Sequence, residues 1–173
     1  MDNFAFEGVQ LIAAKWSNRR LIYATPEFQQ DVHLSDVARL HVRVATESLA
    51  ANLSVWLVSL PWTNSDNVIA KCWTYPTNAG ACKISSARSV TDLMPVEFFD
   101  VELALQPEDQ VIPAGACSGL MIFSSKTYFT VYTDSGTMLT VDLGAMSIKL
   151  PVVSGVQSLR RALPSVSERA CAS

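Results

Sequence analysis

A chain of 173 residues fits one domain of ordinary size and is long enough to bury a core without disulfides or metals. With 13 basic and 16 acidic residues its formal net charge is −3, which leaves no general electrostatic case for nucleic acid or an anionic membrane. It is 49% hydrophobic and only 17% charged, below the roughly one quarter usual for soluble domains, and such a chain tends to hide its surface against something else.

In chain order, residues 1–8 lack the basic start and apolar core of a signal peptide, and no apolar run approaches the roughly 20 residues that span a bilayer. Val9 to Ala14 reads as a strand. Lys15, Arg19 and Arg20, with Trp16 beside them, form the densest basic spot of the chain. Leu21 to Thr25 is a second strand candidate. Ser35 to Leu40 suits a single turn, and then Leu40, Val42 and Val44 alternate with Arg39, His41 and Arg43 at the period of a half-buried strand. Leu53 to Leu60 (LSVWLVSL) is apolar on both faces and reads as a central strand. Asn52-Leu53-Ser54 matches a glycosylation sequon at the start of that strand, a chance match. The turn cluster Pro61 to Asn67 carries Trp62 in a loop, and Val68 to Trp73 is again a strand, followed by turn residues from Pro76 to Gly80.

Ser89 to Met94 suits another single turn. Phe99, Val101, Leu103 and Leu105 alternate with Phe98, Asp100 and Glu102 as one more half-buried strand. Turn clusters at Pro107 to Gln110 and Pro113 to Gly119 precede a strand at Leu120 to Ser124. Tyr128 to Thr133 and Met138 to Leu143 read as a hairpin through Asp134-Ser135-Gly136, with a last strand at Ser147 to Val153. The period-2 pattern then fades. The domain is predicted to cover residues 1–153, with 154–173 a surface-lying or loose tail. Many short strands between turns, with no strong helix, give an all-β sandwich or barrel.

Few residues offer chemistry. Asp134-Ser135-Gly136-Thr137 matches the short signature of aspartic proteases, which need two such carboxylates sharing one proton, yet only 39 residues follow Asp134 and a hairpin turn explains the motif as well. Asp100 and Glu102 share one strand face about 7 Å apart, a spacing compatible with inverting glycoside hydrolysis and equally with a plain solvent-facing pair. His33 and His41 have no accompanying nucleophile motif. The four cysteines, Cys72, Cys82, Cys117 and Cys171, lack metal-site spacing and read as free thiols of a reducing compartment. No cofactor motif occurs, no membrane partner is expected, and the chain is expected not to be an enzyme.

The run Leu40-His-Val-Arg-Val-Ala-Thr46, a short break, and Leu53 to Pro61 resemble the paired strands of picornavirus-like capsid proteins, and Pro95 to Leu105 is similar to the next strand of those jelly rolls. Size and the lack of a basic arm suit the small coat proteins of plant picorna-like viruses, the secovirus group, cheraviruses among them. The resemblance implies an eight-stranded antiparallel jelly-roll β-sandwich. It also implies assembly with other capsid subunits into an icosahedral shell around an RNA genome, and residence in the virion, with the host cytoplasm as the place of assembly. On that reading Lys15, Arg19 and Arg20 are candidate RNA contacts, and Trp62 and Tyr75 candidate subunit-interface anchors. The alternative reading is a ligand-binding β-sandwich of lectin or carbohydrate-binding type, with Trp62 and Tyr75 as sugar-stacking rings.

Overall fold

A computed structural model describes residues 8–46, 53–74, 83–86, 97–124 and 138–164. The described chain is an all-β sandwich with two short helices. Its elements are α1 (Gly8–Ala13), β1 (Arg20–Ala24), β2 (Val32–Asp36), β3 (Arg39–Thr46), β4 (Leu53–Leu60) and β5 (Val68–Thr74). They continue as β6 (Lys83–Ser86), β7 (Phe99–Ala104), β8 (Glu108–Ile112), β9 (Cys117–Phe123), β10 (Leu139–Lys149) and α2 (Gly155–Ala162). One four-stranded sheet runs β1-β9-β4-β5, a second β10-β3-β7-β6, and β2 and β8 form a small third. All of these pairings are antiparallel.

The alternation in β3 and β7 sets their register. Val42 lies opposite Val101 and Leu40 opposite Leu103, all four buried, so the inward set of one strand meets that of the next. Leu53, Val55 and Leu57 of β4 and Leu120 and Ile122 of β9 face them from the other sheet in one core cluster. Each such side chain, taken from water, contributes roughly 1.5–3 kcal/mol.

The double-sided apolar run of β4 has a specific cause. The strand is central, between β9 and β5. Its second face carries Val58 and Leu60 into a separate cluster with Cys117, Met121 and Phe123 of β9 and Leu11 and Ile12 of α1. The helix therefore roofs the outside of this sheet. Six residues are too few for a stable isolated helix, so tertiary contacts must hold α1. Gly8, Leu11 and Ile12, spaced i, i+3, i+4, are its buried residues. A Cβ on Gly8 would collide with the Trp56 indole, which is itself fixed edge-on against Phe123 at 5.5 Å between ring centroids. Arg20, buried in β1, donates to the Ile12 carbonyl at 3.0 Å and the Ala14 carbonyl at 2.5 Å. A cation at a helix C-terminus satisfies orphan carbonyls and meets the negative end of the dipole.

Several elements depart from the sequence reading. Residues 9–14 are predicted as a strand, and the structure has α1 there, because a short apolar run fits either period until its partner surface is known. Ser35 to Leu40 is predicted as a turn, yet it holds the end of β2 and the start of β3, joined through Asp36 at φ 101°. The predicted turn at 107–110 falls on β8, whose Glu108, Asp109 and Gln110 pair with Asp36, Ser35 and Leu34. The separate strands expected at 138–143 and 147–153 are one strand, β10, with an irregularity between Asp142 and Ser147. Within the expected tail, α2 buries Ala162 and packs Leu159 against the core. The predicted strand at 128–133, the Asp134 motif, the turn at 89–94 and Asn52 lie outside the described residues.

The expectation of free thiols is corrected. Cys72 and Cys117 are both disulfide-bonded, and no free cysteine occurs among the described residues. They are not each other's partner: Cys72 lies opposite Val55 and Cys117 opposite Leu60, five residues apart on β4. That places them roughly 17 Å apart along the strand, beyond the reach of one disulfide.

Candidate functional site

The candidate catalytic carboxylates sit on the outer face of the β10-β3-β7-β6 sheet. His41 lies opposite Glu102 and pairs with Asp100 at 3.2 Å. Arg43 stands over the Phe98 ring at 5.6 Å and approaches Asp142 at 3.7 Å. These side chains are all partly exposed, Asp100 already has His41 as its partner, and the pair stands open to water and is not desolvated for acid–base work. His33, on the small sheet, is bonded to Asp109 across β2 and β8 and is likewise open to water. Both histidines thus tie one strand to the next. Among the described residues no three His, Cys, Asp or Glu side chains gather as a metal site, and no helix is long and apolar enough to cross a membrane.

The basic spot divides. Lys15 and Trp16 are exposed on the loop after α1, Arg19 is half-buried, and the Arg20 guanidinium is turned onto the α1 carbonyls, where burial pushes its pKa below the ordinary value. Trp62, expected at a loop tip, is half-buried and packs against the cluster under α1. Its loop is knit by Asn67, whose side-chain oxygen accepts from the Thr63 and Asn64 amides at 2.9 and 3.0 Å and from the Thr63 hydroxyl at 2.6 Å. Tyr75 lies outside the described residues.

A concavity lies at one seam of the sandwich. β1 and β10 are edge strands of opposite sheets, and the seam between them opens as a cleft of about 470 Å³. Leu21 and Ile122 line it from one sheet, and Leu139, Val141 and Leu143 from the other, with Asn18, Ser124 and Thr140 among its polar residues. Among the described residues no carboxylate lines it. Inward-facing side chains are here left partly in water, which the period-2 pattern of the sequence could not reveal. The signal available was the apolar character of both flanks, Leu21 and Met138 to Leu143.

The comparisons assign the architecture. The model of the X-Pro dipeptidyl-peptidase C-terminal non-catalytic domain matches residues 1–160. The chain belongs to this family. A relative from Rhodopirellula baltica, named as an Xaa-Pro dipeptidyl-peptidase, is 46% identical over 161 residues, covering 90% of this chain and 25% of the relative. One of the same name from Bacillus cereus is 26% identical over 134 residues, covering 78% of this chain and 22% of the relative. The chain therefore spans about a quarter of the length of the relatives it matches. Among solved structures, an archaeal aminopeptidase from marine sediment (Thaumarchaeota archaeon) superposes with TM-score 0.59 at 10% identity, covering 79% of this chain and 26% of that one. An α-amino acid ester hydrolase superposes with TM-score 0.54 at 14% identity, covering 78% and 25%. At such identities these structures show the fold alone.

Membership in the X-Pro dipeptidyl-peptidase C-terminal family overturns the capsid reading. The coat-protein resemblance, the shell of capsid subunits, the genomic RNA partner and the virion or host-cytoplasm location are all corrected by the family match and the bacterial relatives. So is the expectation that the chain is not an enzyme, since it belongs to an enzyme family whose relatives are named as peptidases, although the matched family model is that of a non-catalytic domain. The physical reason for the error is plain. Alternating strands followed by an apolar central strand specify a sandwich, and a sandwich serves many unrelated functions.

Proposed function

We propose that this chain acts as the non-catalytic β-sandwich module of a peptidase of Xaa-Pro type, holding and shaping a catalytic part that supplies the reaction. The observation that carries this reading is the family match over residues 1–160. The two four-stranded sheets, with the chain passing between them repeatedly, support jelly-roll connectivity, with residues 1–153 as its body and the tail from 154 lying on it. The disulfides at Cys72 and Cys117 support folding in an oxidising compartment.

The test uses an Xaa-Pro-p-nitroanilide substrate. The isolated chain should release no p-nitroaniline. The full-length R. baltica relative, with its matched region replaced by this chain, should cleave the substrate, and the same relative with that region deleted should not. Hydrolysis by the isolated chain, or an inactive replacement, sinks the proposal.

A further inference from the structure

Taking that module reading as its basis, we infer that the cleft between β1 and β10 is the surface on which the catalytic part seats. An apolar segment of that part fills the cleft.

Three observations lead there. The first is where apolar surface is left in water. Trp16 is 79% exposed, Met138 61%, Leu143 57% and Leu21 37%. Leu21, Met138 and Leu143 line the cleft, and Trp16 stands two residues before its lining begins at Asn18. Large aromatic and aliphatic side chains grouped around a concavity are what interfaces use as anchors.

The second is that the rival surfaces are already spoken for. The outside of the β1-β9-β4-β5 sheet is roofed by α1. The outside of the other large sheet is charged and internally paired through His41–Asp100 and Arg43–Asp142. The small sheet carries the His33–Asp109 pair. Away from the cleft, the other exposed large apolar side chains among the described residues are Val9, Phe98, Val111, Val153 and Val156, and none of them lines it.

The third is the occupant. Three quarters of the R. baltica relative has no counterpart in this chain, and that portion has to meet the module somewhere. The described lining of the cleft is mainly apolar, through Leu21, Ile122, Phe123, Met138, Leu139, Val141 and Leu143, so the complementary surface is apolar.

Hydrogen exchange on the replacement enzyme described above, compared with the isolated chain, tests this. Amides of residues 16–21 and 138–143 should slow at least tenfold in the full-length protein, while those of 153–157 should not change. The double substitution Met138→Asp and Leu143→Asp should leave the melting temperature of the isolated chain unchanged, because both side chains are exposed there. In the full-length protein it should abolish the protection and increase proteolytic nicking between the two parts about tenfold. Val156→Asp should do neither. If the replacement enzyme is active but the cleft amides exchange as in the isolated chain, or if Val156→Asp is the disruptive change, the docking surface is wrong and the module reading stands. If the replacement enzyme neither folds nor cleaves, both fail. Concentration-dependent protection of the cleft in the isolated chain would assign it to a second copy and overturn the inference.

Discussion

The two large sheets have outer faces of opposite character, although their inner faces are equally apolar. On the first, Trp56, Val58, Leu60, Met121 and Phe123 form a second small core under α1. On the second, His41, Arg43, Asp100, Glu102 and Asp142 are at least partly in water, and His41–Asp100 and Arg43–Asp142 pair across strands. Both are backed by the same sandwich, so the difference isolates what a covering element does. A six-residue helix converts one sheet surface into protein interior. The stability of that face then rests on desolvation and packing. On the bare face the described side chains make screened pairs of small value, with Arg43 also standing over the Phe98 ring.

The largest effect should separate the two faces directly. Met121 is fully buried beneath α1, so Met121→Ala removes apolar contacts and leaves a cavity, at a cost of about 2–5 kcal/mol. Glu102→Gln, at an outward position of β7, should change stability by less than about 0.5 kcal/mol. Urea titration of both variants, read as midpoint shifts at constant slope, checks the contrast. Equal shifts would mean that α1 does not shield its face from water.

A smaller effect comes from the closeness of the helix to the sheet. Gly8→Ala puts a methyl group where the Trp56 ring lies, and Phe123 holds that ring in place. The helix must back away, with an expected loss of about 1–3 kcal/mol. Gly144 on β10 offers the matching control. A Cβ there would meet only Asp142 Oδ1, at 3.5 Å, an ordinary contact. Gly144→Ala should be nearly neutral or slightly stabilising. Thermal melts of the two variants, with exchange rates of the α1 amides, distinguish a displaced helix from a general loss of stability.

The same contrast explains what was legible in the sequence. The inner faces were, because Leu40, Val42 and Val44, and Phe99, Val101 and Leu103, repeat at the pleat period and nothing else competes for them. The central place of β4 was readable because its apolar run has no polar face. Residues 9–14 were not: the apolar stretch is too short to separate the two periods, and the Trp56 surface that selects the helix is far off in sequence. β8 escaped because Glu-Asp-Gln in a small two-stranded sheet carries almost no hydrophobic signal. The cleft escaped for a related reason. Leu21 and Leu139 belong to inward-facing sets, and only the spatial separation of two edge strands leaves them near water. Arg20 looked like a ligand-seeking cation because charge alone does not say that two helix carbonyls already hold it.

The smallest effect tests whether the bare face is merely solvated. His41 and Asp100 are 38% and 48% exposed, so their pairing is screened and competes with water. Asp100→Asn should cost less than about 0.5 kcal/mol at low ionic strength and nothing measurable in molar salt. Arg43 should behave differently, because it has two kinds of partner. Its approach to Asp142 is salt-sensitive, whereas its position over the Phe98 ring is an interaction that survives partial screening. Arg43→Gln should therefore keep a residual loss of a few tenths of a kcal/mol in molar salt, and that residue should vanish in a Phe98→Leu background. A salt-independent loss for Asp100→Asn would show that this face is coupled to the core as tightly as the covered one. The absence of a roof would then no longer explain the difference between the two sheets.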